Sequence, residues 1–365
     1  MTPSVTIVGA GLGGLLLARV LHVRGIPAVV YDADPRAGSR TQGGQLDIHE
    51  HDGQAALAAA GLTAQFRNIV HQGGEATRVL EPDGTVLLDR PDDGTGTRPE
   101  VLRGDLRQIL LDALPEGAVQ WNRKVIEVHP LGDGTHRLMF ADGPAVDTRL
   151  LVGADGAWSK VRSLVSPATP AYTGAVFVET YLHDVDVRHP EPAAAVGQGA
   201  MYALTPGKGI VAHREAGAVV HTYVMLQRPA GWADNIDCAR LATEFDGWAP
   251  QLRALVADSD TVPVPRHIYE LPDTHRWQRV PGVTLLGDAA HLMPPSGDGA
   301  NLAMFDGARL ADAIATHPHD VESALAAFED EMFTRSASVA VGARETMKIC
   351  LGSGSPQSLL ELLAG

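Results

Sequence analysis

The chain has 365 residues, 45% apolar and 20% charged, enough to bury a large core and unlike the composition of a disordered protein. Asp and Glu number 44 against 29 Lys and Arg, a formal charge of -15, which argues against a nucleic acid partner because that needs a basic face. Two cysteines, Cys238 and Cys350, are too few for a disulfide framework and fit a reducing compartment.

The opening segment MTPSVTIVGAGLGGLLLARV has no basic stretch before it, and glycines interrupt its apolar run, unlike a signal peptide. No apolar run approaches the roughly 20 residues of a membrane span, so a soluble, cytoplasmic protein is expected. The segment reads instead as a βαβ unit: a β-branched run, a glycine turn, a helical pattern to about Arg24, then the strand PAVVYD. QAALAAAGL is a helix, and ATRVLEPDGTVLLDR is a hairpin turning at Asp83 and Gly84. A helix is expected over Gly104 to Leu114, with Asp105 complementing its dipole. Short strands follow near 119–128, 136–140 and 146–152. Residues 172–226 and 261–271 are strand-rich, with a helical insert near 237–256 and Pro-rich corners near 166–170 and 190–192. The buried strand VTLLGD then leads into helices over about 299–316 and 321–349.

Gly9, Gly11 and Gly14 spell GxGxxG between strand and helix: the first permits the turn, the second lets a pyrophosphate approach, the third allows close packing. Asp32 ends the second strand at the distance of roughly 20 residues expected of a ribose-binding acid. The stretch GDAAHLMPPSGDGANLAMFDG puts Asp288 after a strand and then delivers a helix N-terminus through a Gly-rich turn, suited to negative charge. The histidines of HEH at 49–51 and HPH at 317–319 lack metal-ligand spacing, so no metal is expected. Glu179, inside an apolar strand, either contacts a ligand or pairs with a cation. His221 in AVVHTYVMLQRP reads equally as a core histidine or a ligand contact, and Met293 and Met304 as pocket walls or core.

Three motifs in order, GAGLGG at 9–14, GADGAWSKVR at 153–162 and GDAAHLMPP at 287–295, resemble the class A FAD-dependent aromatic hydroxylases of the para-hydroxybenzoate hydroxylase fold. Within that family the chain is most similar to the tetracycline-inactivating monooxygenases, through SRTQGGQLDIHEHDGQAALAAAGL at 39–62, LRGDLRQILLDAL and GDAAHLMPPSGDGAN. The resemblance implies an α/β fold: a Rossmann-like FAD-binding domain (1–72, 100–170, 272–318), an interleaved β-sheet substrate domain (73–99, 171–271) and a C-terminal bridging helix (319–365). It implies cofactor contacts from Gly9, Gly11, Leu12, Gly14, Asp32, Arg103, Asp155, Asp288, Pro295, Gly299, Ala300 and Asn301, and substrate contacts from Glu179, His221 and Gly297. The implied reaction consumes NAD(P)H and O2 and hydroxylates a planar aromatic or polyketide-type small molecule through a C4a-hydroperoxyflavin, with no catalytic side chain. Alternatives sharing these motifs are tetracycline inactivation, a polyketide biosynthetic hydroxylase, and a flavin oxidase or dehydrogenase without oxygen transfer. The chain departs from the pattern at Glu179, where a Gln is usual, at Ala33, where an Arg is usual, and at Trp158, where an Asn is usual, and around Ala200 it has no equivalent of the substrate-binding Arg.

Overall fold

The computed structural model describes residues 4–39 and 43–364, so Arg40, Thr41 and Gln42 of the 39–62 segment lie outside the described residues. The chain divides into two compact units.

The first unit comprises residues 1–69, 103–171 and 269–343. It is built on a five-stranded sheet in the order Val283–Leu285, Leu151–Gly153, Val5–Val8, Ala28–Tyr31, Val119–Gln120, parallel throughout. Three of these strands are buried at every position, as parallel strands covered on both faces should be, and this is why VTIV, LVG and VTL hold no charged residue and are rich in Val, Ile and Leu, with Thr6 and Thr284 the buried polar members. A three-stranded antiparallel sheet, Val125–Gly132, Thr135–Phe140 and Val146–Thr148, belongs to the same unit.

Two helices organise this unit, Leu12–Val23 and Asp298–Thr316, and they pack closely against each other. Their approach explains one late glycine of the Gly-rich stretch. A Cβ on Gly307 would stand 2.7 Å from the Gly13 carbonyl oxygen, and one on Gly13 would stand 2.7 Å from that of Ala303. Both obstacles are backbone, so any side chain there would separate the helices.

The second unit comprises residues 70–102, 172–268 and 344–365. Its seven-stranded sheet runs Val264–Glu270, Ala171–Leu182, Val219–Gln227, Lys208–Glu215, Ala200–Thr205, Thr77–Leu80, Val86–Arg90. Ala200–Thr205 and Thr77–Leu80 pair in parallel, while the pairings from Ala171–Leu182 through Ala200–Thr205 are antiparallel. Side chains alternate between faces. Val176, Val178, Ile210, Val224 and Leu226 turn to a core completed by Phe245, Trp248, Leu252 and Leu255. Phe177, Leu204, Val211 and Met225 turn the other way, towards Leu351 and Leu359.

Local expectations from sequence meet three differences. The corner near 190–192 is instead the start of a helix, Pro190–Val196, because a proline at the first helical position has no hydrogen bond to lose. The single insert near 237–256 is two helices, Cys238–Thr243 and Pro250–Ala257. A π-helical turn, Glu50–Gln54, precedes the helix Ala55–Ala59. Among the described residues no helix is long and apolar enough to cross a membrane.

Candidate functional site

A cleft of about 840 Å3 lies in the first unit, lined by the glycine turn after Val5–Val8, the end of Ala28–Tyr31, the loops after Leu151–Gly153 and Val283–Leu285, and the start of Asp298–Thr316. That volume suits a large organic ligand. A second cavity of about 620 Å3, in the second unit, contains Arg78 and Arg214. Arg78 already binds the Ala194 and Ala195 carbonyls and Asp89, and Arg214 binds Asp186, so their charge is engaged within the chain.

The three glycines of the turn at the first cleft differ in the room around them. Gly9 has φ +109°, and a Cβ on it would lie 2.2 Å from the Ala154 carbonyl oxygen. A Cβ on Gly14 would lie 2.1 Å from the Gly9 carbonyl oxygen, whereas one on Gly11 would meet no protein atom within 4 Å. The first and third positions are closed by the protein's own backbone, and the second is open to a visitor. This division matches the three roles expected of GxGxxG.

Two helix N-termini open on the cleft, at Gly11 and at Gly297. Neither has a side-chain cap, so the first N–H groups of each are left for a ligand, and the helix dipole makes a negative one favourable. Gly297 holds φ +93° and turns the chain into the second helix; a Cβ on Gly299 would meet nothing within 4 Å. The chain's overall negative charge does not carry into the cleft. Arg103, Arg123, Lys124 and Lys160 line it together with Asp32, Asp34, Asp155 and Asp288.

The carboxylates differ in their engagement. Asp32 accepts from the Ala10 N–H at 2.6 Å and the Asp34 N–H at 2.8 Å, which fastens the glycine turn to the end of the second strand. Asp155 accepts from the Ser159 hydroxyl at 2.5 Å and the Lys160 N–H at 2.7 Å. Burial pushes its carboxyl up, against these hydrogen bonds. Asp155 therefore shapes the 155–161 loop. Asp288 is exposed at the start of the short helix Asp288–His291, and among the described residues its carboxylate has no hydrogen-bond partner.

The Asn301 side chain is engaged within the chain. It is fully buried, its amide donating to the Asp47 and Gly297 carbonyls at 2.8 and 3.0 Å and its oxygen accepting from the His49 N–H at 3.0 Å. With both donors and the acceptor used, its side chain fixes the Gly297 turn from behind instead of facing the cleft. Leu12, Pro295, Gly299 and Ala300 do line the cleft, and Arg103 lines it from the start of the helix Arg103–Asp112.

Several residues that sequence reasoning missed hold these loops. Arg162, 4% exposed, donates to the carbonyls of Ala157, Ala168 and Ala289, tying the 155–161 loop to the Asp288 helix. Arg107 donates to the Ala10 carbonyl at 3.0 Å beneath the glycine turn. Asp306, fully buried, accepts from the Gly287 N–H at 3.1 Å and pairs with His291 at 2.6 Å and Arg335 at 2.7 Å. Burial pushes the Asp306 carboxyl up, but the interactions with His291 and Arg335 outweigh burial and hold it below the usual carboxylate range. The SKVR and MFDG patterns offered a signal only in being polar residues at helical positions that should face a core.

The residues expected to meet a substrate lie apart from one another in sequence and in kind. Gly297 is at the cleft. Glu179 and His221 are in the second unit, on adjacent strands and on one face of the sheet, Glu179 opposite Tyr223 and His221 opposite Tyr181. Glu179 is 8% exposed and bound by Arg266 through both carboxylate oxygens, at 3.0 and 3.3 Å. His221 has no exposed surface. Its Nδ1 lies 3.1 Å from Glu215 and its ring stacks on Tyr181 at 4.0 Å. The expectation of a direct contact therefore meets a histidine sealed inside the sheet face. Burial, and after it the charges of Glu179 and Glu215, raise the Tyr181 pKa, so its hydroxyl stays protonated. Among the described residues no group of three or more His, Cys, Asp or Glu is placed to hold a metal ion.

Comparison with known proteins agrees with this geometry. A 3-amino-4-hydroxybenzoate 2-monooxygenase of Streptomyces cremeus is 30% identical, over 92% of this chain and 84% of its own length. The structure of Klebsiella pneumoniae HpxO complexed with FAD and uric acid superposes with a TM-score of 0.81 at 24% identity, covering 99% of this chain and 91% of that one. Tetracycline destructase Tet(51) superposes with a TM-score of 0.71 at 19% identity, covering 93% and 90%, a likeness of fold alone. The model of the FAD binding domain family matches residues 2–340, nearly the whole chain, and the protein therefore belongs to that family of class A flavin monooxygenases.

Proposed function

We propose that the protein uses FAD, NAD(P)H and O2 to hydroxylate a planar, electron-rich aromatic or polyketide-type small molecule. The observation that carries this reading is the pair of uncapped helix N-termini, at Gly11 and Gly297, on one cleft whose middle glycine is open. The first takes the pyrophosphate on the N–H groups of Leu12 and its neighbours, with Asp32 on the ribose. Asp288, with no hydrogen-bond partner among the described residues, takes the ribityl hydroxyls. The second terminus, with Gly299 and Ala300, faces the flavin edge that becomes negative on reduction, and Arg103 adds positive charge to the same cleft. Pro295 and Gly297 form the wall beside the ring, and Asp155 and Asn301 hold their loops in shape.

Bound FAD supplies the redox and oxygen-activating chemistry, and the protein's part is orientation, electrostatics and exclusion of water. No nucleophilic side chain is required. For the substrate, support comes from the margin of the sheet face where Glu179 is held by Arg266, beside Tyr223 in the neighbouring strand, which presents one exposed cation. On this reading Glu179 acts through Arg266, and His221 supports Tyr181 and Tyr223 from within. The named substrates of the Streptomyces enzyme and of the HpxO complex are flat and conjugated. Tetracycline is the finer alternative, suggested by the Tet(51) fold and by the 39–62 segment.

The test is NADPH oxidation by the purified holoprotein under air, with tetracycline or a simple aminohydroxybenzoate, followed by mass spectrometry. Substrate-stimulated oxidation with a mass gain of one oxygen is expected. Two-electron oxidation of the substrate with no oxygen gained and no NADPH consumed would make the protein an oxidase or dehydrogenase, and a preparation holding no flavin would refute the reading entirely.

A further inference from the structure

We propose that Arg123 is a stacking platform for the adenine ring of FAD and gives the cleft its preference for FAD over flavins that lack the adenylate half. The inference rests on the FAD reading above and adds a residue to it. Arg123 lines the cleft beside Tyr31, Asp32 and Val125. Its backbone is fixed there, because its N–H donates to the Asp32 carbonyl at 2.8 Å and the preceding Asn122 N–H donates to the Asp34 carbonyl at 2.8 Å. The residue is thus tied to the acid that addresses the ribose.

The guanidinium is held flat. Its central carbon lies 3.9 Å from the centroid of the Phe140 ring, which covers one face. Its edge is taken by the 142–144 turn, one nitrogen donating to the Pro144 carbonyl at 2.8 Å and another to that of Asp142 at 3.3 Å. Tyr31 completes the support, 5.0 Å from Phe140 and 5.8 Å from the guanidinium.

These contacts decide what Arg123 can bind. A phosphate would be gripped through the edge of the fork, and two of its three nitrogens already serve backbone carbonyls. Phe140 covers one face, and through the other an electron-poor cationic plane stacks well on an electron-rich purine, with the turn's two carbonyls holding the plane in place. No carboxylate pairs with Arg123 among the described residues, so its charge is not spent within the chain.

The experiment is a titration of the full chain, stripped of flavin, with FAD and with FMN, followed by flavin fluorescence, for the unsubstituted protein, Arg123→Leu and Arg123→Lys. Loss of one stacked base should weaken FAD about five- to fiftyfold in Arg123→Leu while FMN binding stays unchanged. Arg123→Lys should show most of the same loss, because a lysine keeps the charge but not the plane. It also keeps a stem on Phe140, so it carries the test if Arg123→Leu does not fold. Equal weakening of FAD and FMN would overturn the proposal and leave Arg123 a structural support, as would unchanged FAD binding. If the unsubstituted protein binds neither flavin, the FAD reading itself fails, an outcome separate from the other two.

Discussion

The glycine turn supports a prediction in which two chemically identical substitutions, three residues apart, damage different properties. In Gly14→Ala the new Cβ would stand 2.1 Å from the Gly9 carbonyl oxygen and 3.2 Å from the Ala154 Cβ. The helix must move away from the strand, at a cost of about 1–3 kcal/mol or more. In Gly11→Ala the Cβ meets nothing within 4 Å, and φ -77° with ψ 178° is ordinary for alanine. Stability should then stay within about 1 kcal/mol of the unsubstituted protein. The methyl instead occupies the approach of the pyrophosphate. Displacing one charge-assisted hydrogen bond costs about 1.5–3 kcal/mol, so FAD affinity should fall roughly ten- to hundredfold. Thermal unfolding of the flavin-stripped protein and FAD titration by fluorescence quenching separate the two effects. A Gly11→Ala protein that binds FAD as well as its parent would show that nothing approaches there, and the dinucleotide assignment of the turn would be lost.

Two further outcomes concern stability. Asp306→Asn leaves His291 and Arg335 without their buried counter-charge and should cost about 3–5 kcal/mol in urea unfolding. His275 donates from Nδ1 to the Ala290 carbonyl at 2.6 Å, its Nε2 lies 2.9 Å from the Ser166 hydroxyl, and burial depresses its pKa. Below the usual histidine value of about 6.5 the unfolded chain binds the proton and the folded chain does not, so this contribution is whole above that pH and is lost as pH falls through the depressed folded value. The slope should not exceed about 1.4 kcal/mol per pH unit. His275→Gln should flatten it, as read from unfolding midpoints across mildly acidic pH.

The parts legible in the sequence are those where local chemistry and fold agree. GAGLGG could be read because a turn, an open approach and a close packing each demand glycine within six residues. VTIV and VTL could be read because a parallel strand covered on both faces is a short, uncharged run rich in β-branched residues. The parts that were not legible depend on partners far away in the chain. Arg162, Arg107 and Arg123 look like surface charges until their carbonyl acceptors are known, and no local pattern names those acceptors. The resemblance implies a cofactor contact for Asn301, and no local pattern shows that its side chain bonds to Asp47 and His49, 254 and 252 residues away in the chain. His221 sits in a strand whose alternation is clear, but only the cross-strand Tyr181 and the nearby Glu215 show that its face is closed over it. Pro190 was misread because proline marks a corner and a helix start alike.

The order in which the cleft's walls leave the ribosome has its own consequence. The glycine turn and Asp32 are synthesised first, yet the opposite wall, from Leu286 to Ala303, follows some 250 residues later. The strand Val283–Leu285 and the helix Asp298–Thr316 complete the sheet and cover the first helix only then. A nascent chain halted before about residue 300 would hold half a cleft, with the second helix N-terminus absent. On the proposed reading, flavin loading should be a late event in the life of this chain, and flavin content should report completed folding of the first unit.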